Sequence, residues 1–123
     1  MIYLGVGVAG AMGAMLRYAV GRAFLAAGWL AIPYATLLVN VVGSFLIGFL
    51  VFALQDKWGM SENIKTMVVT GFLGGFTTFS AFSLETVTIL EQGELVKGLL
   101  YIFLTLVLCL VGCAAGMLLA RNI

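Results

Sequence analysis

The sequence predicts an all-α membrane protein: one transmembrane domain over residues 1–123, with four transmembrane helices per subunit and a break in the third. Three observations predict it. Hydrophobic residues make up 63% of the chain and charged residues 9%, against about 45–50% and about 25% in soluble domains. A chain this short, with a mean hydropathy of +1.21, cannot hide its apolar surface in one water-soluble core. Its apolar residues fall into four runs, each long enough for the ~20 residues that cross a hydrocarbon core, and the third run carries a glycine pair and two threonines at its middle.

The first helix is expected over residues 2–27. Its GVGVAG segment, residues 5–10, matches the glycine spacing of dinucleotide sites, but that motif requires a preceding strand and a βαβ unit. Here the glycines are small residues that let helices approach closely. Arg17 and Arg22 fall at the far end of this run rather than before it, which is not the pattern of a cleaved signal peptide. The second helix is expected over 34–54, after GWLAIP, and carries Asn40 within TLLVN. Ser44-xxx-Gly48 repeats the small-residue spacing, as does Gly112-xxx-Gly116 in the last run. The third helix is expected over 64–90, after QDKWGMSEN, where Ser61 followed by Asn63 is an N-cap signal. The fourth is expected over 96–120, after EQGELVKG. A four-helix protomer with such faces is expected to pack against another copy of itself.

Charge excludes several classes. The net charge is +1 and histidine is absent, so nothing forms the basic footprint of a nucleic-acid binder. Cys109 and Cys113 lie four apart on one helix face, where a bond between them would strain the helix; they read as small buried thiols. Without histidine or a CxxC pair, the sequence argues against a metal or redox site at the cysteines, and no nucleophile–base pair suggests an enzyme.

With four spans, Lys57, Lys65 and Arg121 fall on one side of the bilayer and Arg17, Arg22 and Lys97 on the other. The Lys/Arg asymmetry that orients membrane chains is missing. Insertion in both orientations is expected, and with it an antiparallel, dual-topology homodimer.

The most informative stretch is GFLGGFTTFSAFSLE, residues 71–85. Gly74-Gly75 in mid-membrane costs helix propensity, and the Thr77 and Thr78 hydroxyls can satisfy freed backbone groups. A broken helix is tolerated at that depth only where it is buried in protein or lines a wet cavity. Exposed carbonyls at the break are ready cation ligands; the plainer alternative is a kink that binds nothing. Phe79 and Phe82 share a helix face, which Phe72 and Phe76 extend. Such a stripe is commonly core, but Ser80 and Ser83 flank it and Asn40 sits in mid-span, and polar groups inside a membrane mark a pathway or a helix contact. The ring edge is the positive part of a phenyl quadrupole. Edges, an amide donor and hydroxyls together suit a small anion that must be held and released.

These residues resemble the signature of the Fluc (CrcB-like) family of fluoride ion channels, GxxGGxTTFSTFSxE on a broken third helix. TLLVN with Asn40, GAMLRY with Arg17, the four spans and the length agree, so the resemblance covers the whole chain. It implies a passive fluoride-selective channel that exports fluoride from the cytoplasm and relieves its toxicity. It further implies a dual-topology homodimer in a bacterial inner or plasma membrane, with two pores in the lipid bilayer and a structural Na+ at the dimer interface. That sodium ion would be held by the Gly74 and Thr77 backbone carbonyls of both subunits. The resemblance assigns the fluoride pathway to Asn40, Phe79 and Phe82, with Ser80 and Ser83 beside them, Arg17 in a vestibule, and Thr105, Cys109 and Cys113 as a polar track on the fourth helix; Glu85, which closes the third-helix motif, is expected along the same pathway. Ala81 replaces the usual threonine, and the two cysteines replace hydroxyls with weaker hydrogen-bonding groups. Ion-coupled fluoride transport, as fluoride/proton exchange, is the alternative, with Glu85 the one mid-chain group for proton coupling. A structural or accessory four-helix protein is the third reading, although it has no need of the Asn40–phenylalanine constellation.

Overall fold

Apolar runs this long, with few helix breakers, leave the backbone one way to satisfy its own hydrogen bonds in lipid, and that is to close them within each segment. The computed structural model describes residues 1–123 and is helical throughout, without a strand. The first span is α1, Ile2–Ala26. The second is α2, Tyr34–Phe52, prolonged by a π-helical turn over Ala53–Lys57. The third begins with α3, Glu62–Thr66, passes through a π-helical segment, Met67–Leu73, and ends its first half with α4, Gly74–Phe76. Its second half is α5, Phe79–Glu91, and the fourth span is α6, Leu95–Asn122. The protein is a multi-pass membrane protein: all four spans are long and apolar enough to cross a bilayer. Large apolar side chains face outward along α1 (Tyr3, Leu4, Met15) and α6 (Val96, Phe103, Leu110), as a lipid-covered surface requires. Each connection turns at a glycine in the left-handed region, Gly28 at φ 76°, Gly59 at 60° and Gly93 at 79°, a conformation that costs a residue without Cβ little.

Small residues set the two closest helix contacts. A Cβ on Gly13 would collide with the Phe72 carbonyl oxygen, and one on Gly75 with that of Gly10, so α1 lies directly against the third span. Gly48 abuts the Cys113 carbonyl and Gly116 that of Phe45, which joins α2 to α6 along the two small-xxx-small stretches. These faces are therefore occupied inside the protomer rather than left for a second copy. Of the GVGVAG glycines, Gly5 receives the Met67 thioether while Gly7 has open space around it.

Three features depart from the sequence expectation. The glycine pair is not the break: Gly74 and Gly75 remain helical, and the chain becomes extended at Thr77 (φ −90°, ψ 159°) and Thr78 (φ −155°, ψ 112°). Gly75 is needed for its approach to α1 instead. The π-helical segment just before the break was not foreseen. It accommodates an extra residue per turn, as π segments do within α-helices, frequently at functional sites. The third span starts at Glu62 rather than near residue 64, with the Ser61 hydroxyl accepting from the Ile64 N–H at 3.4 Å.

Candidate functional site

Interrupting a helix in mid-membrane frees backbone groups that water cannot reach, so the first question is what satisfies them. Four side chains do. Thr77 donates its hydroxyl back to the Leu73 carbonyl at 2.9 Å. The Thr78 hydroxyl accepts from the Ala81 N–H at 3.1 Å, an N-cap that starts α5. Asn40, from α2, takes both backbone groups of Thr78: its Oδ1 accepts from the Thr78 N–H at 2.8 Å and its Nδ2 donates to the Thr78 carbonyl at 3.0 Å. Arg17, from α1, donates from Nε to the Gly75 carbonyl at 3.0 Å. Three spans thus meet at one break. The Thr77 carbonyl is left without a hydrogen-bond donor.

The break opens on a cavity of about 360 Å³. Asn40, Gly74, Thr77, Phe79, Phe82, Thr105 and Cys109 border it, so seven of the residues singled out in the sequence share one space. Asn40 is 8% exposed, and an amide nitrogen carries two donors, of which Thr78 takes one. The two phenylalanines differ. Phe82 is 6% exposed and packs against Tyr101 at 5.2 Å between centroids, whereas Phe79 is 74% exposed and leans on Phe82 at 5.5 Å and 58°. The break also splits the phenylalanine row, since Phe72 and Phe76 stack on each other on its other side. Thr105 is buried and its hydroxyl has no partner.

The remaining candidates lie elsewhere. Ser83 donates to the Phe79 carbonyl of its own helix and Ser80 shares a 3.2 Å contact with the Thr78 hydroxyl; neither borders this cavity. Cys113 does not border it either, its backbone lying against Gly48. Arg17 borders a second cavity, of about 260 Å³, with Arg22, Thr36, Thr78 and Ala81. Glu85 borders a third, of about 560 Å³, with Trp29, Tyr34, Thr36 and Lys97. Thr36 is common to the Glu85 and Arg17 cavities, and Thr78 to the Arg17 and Asn40 cavities. The three spaces therefore adjoin in series.

Thr36 and Tyr101 were missed by the sequence reading. Thr36 donates to Glu85 Oε1 at 2.6 Å, and the Tyr101 hydroxyl lies 3.5 Å from Oε2. A signal for each existed: Thr36 sits one turn before Asn40, and Tyr101 one turn before Thr105, each on the face already singled out. The ion pairs, Lys65–Glu62 and Lys97–Glu94, each join residues three apart; Lys65–Glu62 lies away from these cavities, while Lys97 borders that of Glu85.

A four-span membrane protein whose third helix is discontinuous at depth, retied by polar side chains of its neighbours and flanked by adjoining cavities, has the construction of an ion-pathway protein. The model of the CrcB-like protein family, Camphor Resistance (CrcB), matches residues 4–117, and the chain belongs to that family. Among its relatives, the fluoride-specific ion channel FluC of Rhizobium meliloti is 47% identical over 116 residues, covering 94% of this chain and 93% of the relative. The protein of the same name from Geobacter sulfurreducens is 42% identical over 120 residues, covering 98% and 97%. That of Acidithiobacillus ferrooxidans is 47% identical over 105 residues, covering 85% and 84%.

Proposed function

We propose that this protein is a passive fluoride-selective ion channel that lets fluoride leave the cytoplasm, and that it is not an enzyme. Relatives named for that activity match it over nearly their full length. The observation that carries the mechanism is the Asn40–Thr78 clamp, which fixes an amide donor beside Phe79, Phe82 and Thr105 in one cavity. Fluoride is small and holds its water tightly, so a selective path must replace that water with fixed donors. The second Asn40 amide hydrogen can donate, and the edges of the two rings offer positive charge without the strong binding of a full cation. Arg17, already bonded to Gly75, puts positive charge on the wall of the adjoining cavity and draws anions toward Thr78.

Fluoride/proton exchange is not favoured. The relatives are named as ion channels, and Glu85 is tied down by the Thr36 and Tyr101 hydroxyls.

The working unit is an inverted homodimer. Its support is the even division of Lys and Arg between the two ends and the exposure of Phe79 at the edge of the cavity, which a second copy would cover. A structural sodium ion fits the break. Sodium takes hard oxygen donors, and the Thr77 carbonyl lacks a donor while Gly74 borders the same cavity. One protomer supplies two such carbonyls, so a full shell calls for the matching pair of an inverted partner. The test of the function is fluoride efflux from liposomes holding the purified protein; chloride efflux at a similar rate would reject it.

A further inference from the structure

We propose that Lys57, Trp58 and Arg121 form a binding site for the headgroup of an anionic phospholipid, at the end of the bundle where the second and fourth spans finish side by side. The proposal needs only the membrane-spanning fold and is independent of the ion conducted. α2 continues through the π-helical turn Ala53–Lys57, and its span of 24 residues stops at Lys57. α6 finishes beside it. The Lys57 ammonium donates to the Ile123 carbonyl at 3.3 Å, and the Arg121 guanidinium lies over the Phe52 ring, 4.7 Å from its centroid. Trp58 sits edge-on against Phe49, which precedes Phe52 by one turn of α2. Two cations and an indole are thereby gathered at one end of the α2–α6 pair.

All three residues are exposed, and the protein leaves both charges uncompensated. Glu62 is taken by Lys65, and Asp56, exposed on the same turn as Lys57, pairs with neither cation. Arg121 donates to no acceptor in the protein, so its planar fork is free to meet two phosphate oxygens, and the Phe52 ring against its face holds it in place. Trp58 is 51% exposed. A half-exposed indole at the end of a span belongs at the level of the lipid headgroups, where anionic lipids draw basic side chains. Leu118, three residues before Arg121 on the same face of α6, is 58% exposed. It offers apolar surface to an acyl chain below the phosphate, which a soluble phosphate would not use. The opposite end of the bundle lacks this pairing of free cations. Lys97 is bound to Glu94 there and Arg17 to the Gly75 carbonyl, which leaves Arg22 by itself.

The experiment uses the full chain carrying Trp29→Phe, so that Trp58 is its one tryptophan, in bilayers of phosphatidylcholine mixed with brominated phosphatidylglycerol or brominated phosphatidylcholine. Quenching of Trp58 against the fraction of brominated lipid gives the preference for the anionic headgroup. Lys57→Gln and Arg121→Gln should each lower that preference about fivefold, the effect of one basic side chain at an anionic membrane surface, and the double variant should abolish it. Lys65→Gln, whose ammonium is already held by Glu62 and Gln55, should change it less than about twofold. In the chain without these glutamines, raising the salt should weaken the preference. Equal quenching by the two lipids, a preference that survives the double variant or ignores salt, or one that Lys65→Gln lowers as much as the other two would overturn the proposal. So would a Trp58 that neither lipid quenches, because a second copy of the chain then covers the patch. Relief of the quenching by millimolar glycerol phosphate would reject the lipid in favour of a soluble phosphate.

Discussion

Asn40 binds Thr78 through both of that residue's backbone groups, accepting from its N–H at 2.8 Å and donating to its carbonyl at 3.0 Å. A single side chain from the second span thereby replaces the ladder that the third helix gives up at its break. The same amide keeps one hydrogen for the cavity, so the residue that holds the break also faces the space beside it.

Asn40→Asp should be the most damaging single change. A carboxylate cannot donate to the Thr78 carbonyl, and it puts negative charge on the wall an anion must pass. Asn40→Ala leaves two buried backbone groups unpaired, at about 1–3 kcal/mol each. Thermal unfolding in detergent should show both variants destabilised, and fluoride efflux should fall further in the aspartate variant than in the alanine one. Equal efflux in the two would remove the charge from the argument.

Phe79 and Phe82 should separate packing from conduction. Phe82 is buried against Tyr101, so Phe82→Ile, which removes buried volume and leaves a cavity, should lower stability by on the order of 1–3 kcal/mol. Phe79 is largely exposed, and Phe79→Ile should leave the melting temperature of the protomer almost unchanged. Efflux should drop strongly in both. A stable Phe79→Ile protein with normal flux would reduce the exposed ring to surface.

Gly75→Ala should prevent α1 from seating on the third span, because the new methyl group meets the Gly10 carbonyl. Backbone cannot step aside as a flexible side chain would. Gly7→Ala, in open space, should fold and conduct as the natural chain does. Size-exclusion profiles in detergent distinguish the two, and a monodisperse, thermally stable Gly75→Ala would show that the helix contact is looser than described.

The proposed inverted dimer makes a prediction about orientation. Several lysines added to the 55–63 loop should fix one topology by weighting one side, and a second chain biased the opposite way should be needed to recover efflux. Full activity from one fixed orientation alone would rule out the antiparallel arrangement.

The sequence made the four spans legible because each is a long apolar run between polar turns, a signal that needs no tertiary context. It also made legible that the third span is interrupted, but not where. Gly74-Gly75 looked like the interruption because glycine weakens helices; in the fold Gly75 stays helical and is small so that Gly10 can come close. The chain opens at Thr77 and Thr78 because Asn40 and Arg17 wait there on other helices, and a local sequence window holds no record of that. The π-helical segment was hidden for a related reason, since one extra residue in a turn leaves apolar composition unchanged. Within the site, Asn40, Phe79 and Phe82 were legible as polar or aromatic residues inside an apolar span, whereas Thr105 and Cys109 were reached only through the resemblance to the family. Thr36 and Tyr101 were missed because their common partner, Glu85, joins three helices.

The central claim is that the Asn40–Thr78 break and its cavity form a fluoride path, and one measurement tests it most directly. Anion efflux is recorded with ion-selective electrodes from liposomes containing the purified protein, loaded with fluoride or with chloride, without a proton gradient. The predicted result is rapid fluoride release, no chloride release above empty liposomes, and loss of the fluoride signal in Asn40→Asp. Similar release of both anions, fluoride release that requires a proton gradient, or full release from Asn40→Asp would contradict the account.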